Sequence, residues 1–361
     1  MKPLSACIPR GTVSSSGKIR VMAVDDSVVI RHLVQQALRE DAELEFVGAE
    51  PNGVAALAQI PLLKPDVVVL DIEMPEMDGL ETLRQIRKLH PRLRTIMFST
   101  LTTRGASSTF EALSLGADDY VAKASNAGSL DRSLTSLRTE LVPRIKQFFL
   151  RPEKLTSPLP PPAVSRPRRG LPRVLAIGVS TGGPQALATL LPRIPADFPL
   201  PVLIVQHMPP TFTRLLAERL CAAGSLRVEE AADGVPLQPG RVFVAAGDHH
   251  LRVRSTGPNS FVTALDQGPH ENSCRPSVDV LFRSLAENYG GDVLYVVLTG
   301  MGQDGLRGAE KLKAAGAFGI AQDEASSVVW GMPGAVARAG LADRVLPLNE
   351  IPPELIRRAV G

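Results

Sequence analysis

The sequence predicts an α/β protein of two domains, each built on a doubly wound parallel sheet. Three observations carry this expectation. Strand-like apolar runs alternate with helical stripes between Ile19 and Leu137. A second alternation of the same kind starts at Arg173. Between the two, residues 151–172 hold seven prolines in 22 positions, among them Pro160-Pro161-Pro162, which cannot continue a helix and favour an extended spacer. The 361 residues fit two domains at about 150 residues per domain.

The elements follow in order. Residues 1–17, rich in Ser, Gly and Pro, lack periodicity and read as a disordered tail. In the first domain, 18–141, a buried strand is expected over Ile19–Val24. Val29, Ile30, Leu33, Ala37 and Leu38 follow at helical spacing. Strands are expected over Leu44–Ala49, Asp66–Leu70, Thr95–Ser99 and Asp119–Ala122. Helices are expected over Val54–Leu63, along Leu80, Leu83, Ile86 and Leu89, over Ala106–Leu115, and after the last strand. The run Asp66-Val67-Val68-Val69-Leu70 is apolar enough for a central strand covered on both faces. Five β/α repeats make the sheet parallel. A linker is read over 142–172 and the second domain over 173–361. There, strands are expected at 173–178, 201–206 and 292–298, each followed by a helix. Alternation at Val242–Ala245, Leu251–Val253 and Phe261–Ala264, with Pro-Gly turns, predicts a β-hairpin insertion within 226–266.

Composition excludes several classes. Hydrophobic residues make up 44% and charged residues 21%, so the chain as a whole is globular. The apolar run Val293–Leu298 falls far short of the roughly 20 residues of a membrane span. The N-terminus lacks the apolar core of an export signal, and the three cysteines, Cys7, Cys221 and Cys274, form no Cys-x-x-Cys pair, so a reducing, cytoplasmic setting is expected. The net charge of +3 is concentrated in the proline-rich spacer, which leaves no basic face for nucleic acid.

Chemistry gathers where parallel strands end. In the first domain, Asp25 and Asp26 follow the first strand and Asp71 the third, while Ser99 and Lys123 end the fourth and fifth. Clustered carboxylates repel one another, and a hard divalent cation such as Mg²⁺ relieves that cost. A hydroxyl and an ammonium beside them suit the oxygens of a phosphoryl group. Capping of the next helix is the competing role for any single aspartate. With VMAVDDS (21–27), LDIEMPEMDG (70–79), Ser99 and DDYVAK (118–123), this region resembles a response-regulator receiver domain, whose fold is flavodoxin-like with a five-stranded parallel sheet. The resemblance implies that a histidine kinase phosphorylates Asp71. It implies that Asp25, Asp26, Asp71 and the Glu73 carbonyl hold Mg²⁺, that Lys123 contacts the phosphoryl group, and that Ser99 and Tyr120 form the switch. Ala124 stands where such domains usually have Pro.

In the second domain, Ala176–Pro184 reads as strand, tight turn and helix, with Ser180 displayed at the sheet edge. A loop that cradles a phosphate competes with a serine nucleophile, but the P-loop Lys and the dinucleotide spacing are both missing. His207 ends the next strand and is the candidate base; His249 and His250 are its rivals. Asp304 follows the strand ending at Leu298 and is the candidate orienting acid, with capping of its own helix as the competing role. The stretches IGVSTGGP (177–184), VQHMPPTFT (205–213), RPSVDVLF (275–282), LTGMGQDG (298–305) and AQDEASSVVWGMP (321–333) resemble the CheB family of chemotaxis protein-glutamate methylesterases. The resemblance implies that Ser180 is the nucleophile, His207 the base and Asp304 the acid. It also implies that the Met301 N–H binds the oxyanion beside Thr181. The implied reactions are demethylation of chemoreceptor glutamates and deamidation of receptor glutamines, without a cofactor for the esterase step. The implied place is the cytoplasm, at membrane receptor arrays. From the domain order, the receiver is expected to cover the catalytic cleft until Asp71 is phosphorylated. An esterase of another receptor pathway and a non-catalytic docking module are the alternatives. A transcription factor would need a basic helix-turn-helix, and none is apparent.

Overall fold

Apolar runs form strands where the alternation places them, and polar residues just beyond each run start the next helix. The computed structural model describes residues 17–100, 102–123, 130–149 and 170–360. The expected tail up to position 16, the Lys123–Ala124 peptide and the proline-rich segment at 151–169 lie outside the described residues. The chain divides into two units, Met1–Pro152 and Glu153–Gly361.

The first unit runs β1 (Ile19–Val24), α1 (Val28–Arg39), β2 (Leu44–Glu50), α2 (Gly53–Leu63), β3 (Val67–Asp71), α3 (Gly79–Leu89), β4 (Arg94–Thr100), α4 (Thr103–Ser114), β5 (Asp119–Lys123) and α5 (Leu130–Lys146). Its strands are all parallel, in the order β2-β1-β3-β4-β5. β3 is buried along its whole length, as a strand covered on both faces must be. Side chains fix four helix starts: Ser27 accepts from the Ile30 N–H, Asn52 from Ala55, Asp78 from Glu81 and Thr102 from Gly105. Each such cap satisfies an amide that has no partner within its helix, worth about 1 kcal/mol. Strand order reverses between β1 and β3, and their carboxyl ends border a crevice there.

Helix α5 continues to Lys146, beyond position 142, where the sequence suggests the linker begins. Leu141, Ile145 and Phe148 are buried, and Arg144 and Gln147 both bond Asp119. Burying an apolar side chain contributes about 1.5–3 kcal/mol. Three of them outweigh the roughly 3 kcal/mol cost of Pro143 inside the helix.

The second unit runs β6 (Val174–Val179), α6 (Gly183–Leu190), β7 (Val202–Gln206), α7 (Phe212–Ala223), β8 (Arg227–Glu230), β9 (Arg241–Val244), β10 (His250–Gly257), β11 (Ser260–Asp266), α8 (Val278–Tyr289), β12 (Val293–Val297), α9 (Leu306–Ala315), β13 (Phe318–Gln322), α10 (Met332–Arg338), β14 (Arg344–Leu346) and α11 (Ile351–Val360). Seven strands form a parallel sheet in the order β14-β13-β12-β6-β7-β9-β8. The hairpin is smaller than expected: β10 and β11 alone pair antiparallel. The run at Val242, expected inside the hairpin, forms β9 beside β7, and β8 extends the same edge. A short apolar run looks alike in a hairpin and in a parallel sheet, and only long-range pairing separates them.

β13 and β14 escape the periodicity. β13 reads Phe-Gly-Ile-Ala-Gln, and its Gly319 lies against Tyr295, where a Cβ would come within 2.3 Å of Cζ. Tyr295 is fully buried and its hydroxyl donates to the Leu341 carbonyl at 2.6 Å. Room for that ring removes the bulky side chain that would mark a strand. β14 has three residues, too few to show a pattern. No helix among the described residues is long and apolar enough to cross a membrane.

Candidate active site and acidic pocket

At the carboxyl edge of the first sheet, Asp25 and Asp26 follow β1, Asp71 ends β3, Ser99 lies in β4 and Lys123 ends β5. Carboxylate oxygens of the three aspartates lie within 4.8 Å of one another. Lys123 Nζ stands 2.8 Å from Asp25 Oδ2 and 2.8 Å from Asp71 Oδ1. Helix capping does not explain these aspartates, because Ser27 caps α1 and Asp78 caps α3. Gly79 makes the turn beneath Asp71 possible: a Cβ there would lie 2.0 Å from the Asp71 carbonyl oxygen. Burial pushes the Asp71 carboxyl up to about 6, against the pull of Lys123. Burial works against the Lys123 ammonium, but Asp71 and Asp25 outweigh it and hold its pKa above the ordinary value.

The pocket is lined by Asp26, Asp71, Glu73, Ser99, Thr100 and Lys123. Three carboxylates in reach of one point form the oxygen-only donor set that a hard divalent cation takes. Ser99 Oγ donates to the Gly105 carbonyl at 3.1 Å. The Tyr120 ring is buried, with the Arg144 guanidinium 5.9 Å from its centroid.

In the second sheet, β6 and β7 run side by side with Val179 opposite Gln206. The next residue on each chain is Ser180 and His207. The His207 N–H continues the ladder to the Val179 carbonyl at 3.3 Å. Neighbouring strands lie about 4.8 Å apart, so register alone sets Ser180 and His207 side by side at one edge of the sheet. The Ser180 N–H donates to the Thr299 carbonyl at 3.0 Å, which ties this turn to the segment after β12. Gly300 packs on it so closely that a Cβ would lie 2.8 Å from Ser180 Cβ.

A third strand end supplies Asp304. His207 Nε2 lies 2.7 Å from Asp304 Oδ2. A carboxylate only accepts, so Nε2 carries the proton and the neutral ring keeps its lone pair on Nδ1. Asp304 is 2% exposed and accepts five further hydrogen bonds of 2.7–3.0 Å, from Asn272 Nδ2, Ser277 Oγ and the N–H groups of Val278, Asp279 and Gly305. It therefore caps a helix, but not the one that follows it. Val278 and Asp279 open α8, whose Ser277 makes no side-chain cap bond of its own. Asp279 reciprocates by accepting from the Gly308 N–H, in the first turn of α9, at 2.6 Å. Both helix N-termini favour the negative charge set against them.

Burial raises the Asp304 carboxyl, yet the bonds from His207 and the α8 amides hold it down at about 2. Burial also disfavours the His207 imidazolium; the contact with Asp304 outweighs it, so the His207 pKa is raised. Asp279, buried beside Asp304, is pushed up.

The structure thus joins His207 to Asp304 and sets Ser180 beside His207 by register. No hydrogen bond among the described residues links Ser180 Oγ to the ring; Cys274 Sγ lies 3.6 Å from Nδ1 instead. The Met301 N–H has no acceptor among the described residues, while the Thr181 carbonyl accepts from Thr299 Oγ1 at 2.9 Å. The rival histidines bond main-chain carbonyls, His249 that of Gly247 and His250 that of Pro269. Sequence reasoning missed Asn272, Cys274, Ser277, Asp279 and Gln206. Ser277 and Asp279 stand inside the RPSVDVLF stretch, and Asn272 and Cys274 just before it, which was the available signal. Gln206 Nε2 donates to the carbonyls of Ser180, at 3.0 Å, and His207, at 3.3 Å.

A family model described as CheB methylesterase matches residues 175–355, and one described as response regulator receiver domain matches residues 21–135. The protein-glutamate methylesterase/protein-glutamine glutaminase of Trichodesmium erythraeum is 48% identical over 349 residues, covering 94% of this chain and 99% of its own length. That of a Nocardioides species is 51% identical over 352 residues, covering 94% and 95%. The crystal structure of the Thermotoga maritima CheB methylesterase catalytic domain is 44% identical, with a TM-score of 0.50, over 52% of this chain and 98% of that one. The chain belongs to the CheB methylesterase family, with a response regulator receiver domain ahead of the methylesterase domain.

Proposed function

We propose that this chain hydrolyses γ-methyl esters of glutamate side chains on chemoreceptors, releasing methanol, and deamidates receptor glutamines. The observation that carries this reading is the His207–Asp304 pair, 2.7 Å apart, at the strand end beside Ser180. Ser180 Oγ attacks the γ-carbonyl carbon while its proton passes to His207. The fixed carboxylate of Asp304 stabilises the imidazolium that forms. The Met301 N–H receives the oxygen that gains charge, beside Thr181; one such donor is typically worth about 2.7–4 kcal/mol. His207 returns the proton to the departing methoxide and methanol leaves. Water then attacks the acyl-serine by the same relay and frees the carboxylate. A glutamine amide held in the same pose loses ammonia instead. Either product adds one negative charge to the receptor helix.

Asp71 is the phosphoryl acceptor, with a histidine kinase as donor. Asp25, Asp26, Asp71 and the Glu73 carbonyl would hold Mg²⁺, which when bound offsets the charge of the carboxylates and of the incoming phosphoryl group. Lys123 then contacts phosphoryl oxygens, with Ser99 and Tyr120 as the switch. Activation requires that phosphorylation stabilise the active arrangement more than the inactive one. The substrate places this cytoplasmic enzyme at receptor arrays. Methanol release from a methylated chemoreceptor is expected, and is expected to rise with a small-molecule phosphodonor and Mg²⁺. Asp71→Asn is expected to lose that rise. A rise that persists in this variant removes Asp71 as the acceptor. Absence of methanol from the wild-type protein, with and without donor, removes the esterase reading.

A further inference from the structure

The Cys274 thiol lies against the one atom of His207 that base catalysis needs. Asp304 engages Nε2–H, the lone pair is on Nδ1, and Cys274 Sγ is 3.6 Å from that nitrogen. In this tautomer the thiol is the donor and the ring the acceptor. Ser180 has to deliver its proton to the same lone pair.

The loop that carries Cys274 is fixed from several sides. The backbones of Glu271 and Cys274 exchange hydrogen bonds at 3.1 and 2.9 Å. Glu271 pairs with Arg283 on α8 at 2.5 Å. Asn272 donates to both Asp279 and Asp304. Arg275 binds Asp248 and the carbonyls of Gln267 and Gly268. Asn272 and Ser273 hold left-handed backbone, φ 52° and 61°, which persists only where the surroundings over-determine it. Cys274 itself is only partly buried. The loop thus presents the thiol to the crevice and keeps it out of the core.

We propose that Cys274 is a positioning residue of the esterase: its thiol holds His207 Nδ1 in the resting site and is displaced by Ser180 Oγ when substrate is bound. This rests on His207 being the base, as in the reading above. Among the described residues two titratable groups face the His207 ring, Asp304 from the turn before α9 and Cys274 from the loop before α8. Next outward stand Asp279 on α8 and Glu271, the latter paired with Arg283. Asp304 favours the protonated ring, whereas a thiol that donates to the Nδ1 lone pair stabilises the neutral ring. Without the thiol, only Asp304 acts on the ring, the imidazolium is relatively favoured, and the ring becomes a competent base at higher pH.

The test compares Cys274→Val, which keeps bulk without a donor, with Cys274→Ser, which keeps a donor. Both are full-length proteins assayed for methanol release from methylated chemoreceptor as a function of pH. The valine variant is expected to move the acidic limb of kcat/KM to higher pH and to change kcat several-fold with KM little altered. The serine variant is expected to restore the wild-type limb. Should the valine variant fold poorly, Cys274→Ala carries the same expectation. A donor-free variant with the wild-type limb and kcat overturns the proposal, provided His207→Ala is inactive. Full activity in His207→Ala would instead remove the base assignment, and the role of Cys274 with it.

Discussion

Ser180→Ala is expected to lower kcat for methanol release on the order of 10⁶-fold, about 8 kcal/mol of barrier. The reason is that the hydroxyl supplies the attacking atom of the acyl-serine route. What remains is binding and the Met301 N–H, which in serine hydrolases sustain about 10³–10⁴-fold over water. KM should change little, because the hydroxyl is needed for attack and not for holding the ester. Folding should not change either. Ser180 contributes to the fold through its backbone, with its N–H on the Thr299 carbonyl and its own carbonyl accepting from Gly183 N–H and Gln206 Nε2. Kinetics and a thermal melt on the same preparation check both parts. A variant that melts normally and keeps the wild-type kcat removes Ser180 as the nucleophile.

Asp304→Asn is expected to lose both rate and stability. Six hydrogen-bond donors converge on the two carboxylate oxygens. An amide offers one oxygen, and its NH₂ group has to face donors on the other side. If the NH₂ faces His207 Nε2, the ring proton moves to Nδ1 and the base is lost. If it faces the other way, Asn272, Ser277, Asp279 and Gly305 lose their acceptor. A wrong tautomer costs about 10⁴-fold in kcat, and buried donors left unpaired cost about 1–3 kcal/mol each. The acidic limb of the residual activity should move down in pH, because the imidazolium loses its carboxylate. The pH dependence of stability should change as well. Asp304 is held at about 2 when folded, against about 3.9 unfolded, so its ionised form contributes on the order of 2–3 kcal/mol. That contribution is complete above pH ~4 and is lost as pH falls through about 2. Denaturant melts at neutral and acidic pH should show the wild-type advantage at neutral pH shrinking in acid. Equal stability of the two proteins at neutral pH would contradict this account of Asp304.

The parallel sheets were legible because β1, β3, β6, β7 and β12 are apolar runs bounded by helical stripes, a signal that stays within a few residues. The acidic pocket and the three strand-end residues were legible for the same reason, since a parallel sheet collects its loops at one edge. What stayed hidden depends on pairing between distant residues. β13 gave up its bulky side chain to make room for Tyr295, and the strand at Val242 joined the sheet instead of the hairpin. α5 outran the expected linker because Ile145 and Phe148 found a core, which a proline inside the helix conceals. Asp304 was legible as the orienting acid, with capping of its own helix as the competing role; that it caps α8, with Asp279 as the counterpart on α9, was not. Cys274 spoke only of redox setting in the sequence, because nothing local announces that its loop returns to His207.

The account stands most directly on Ser180 and His207 working as one relay. Methanol release by Ser180→Ala, by His207→Ala and by the double variant, on the same methylated receptor, measures this. Groups that act as a unit lose their effect once, so the account predicts that the double variant is no slower than either single variant. A double variant slower than both by the product of the two separate losses would show independent contributions and would contradict it.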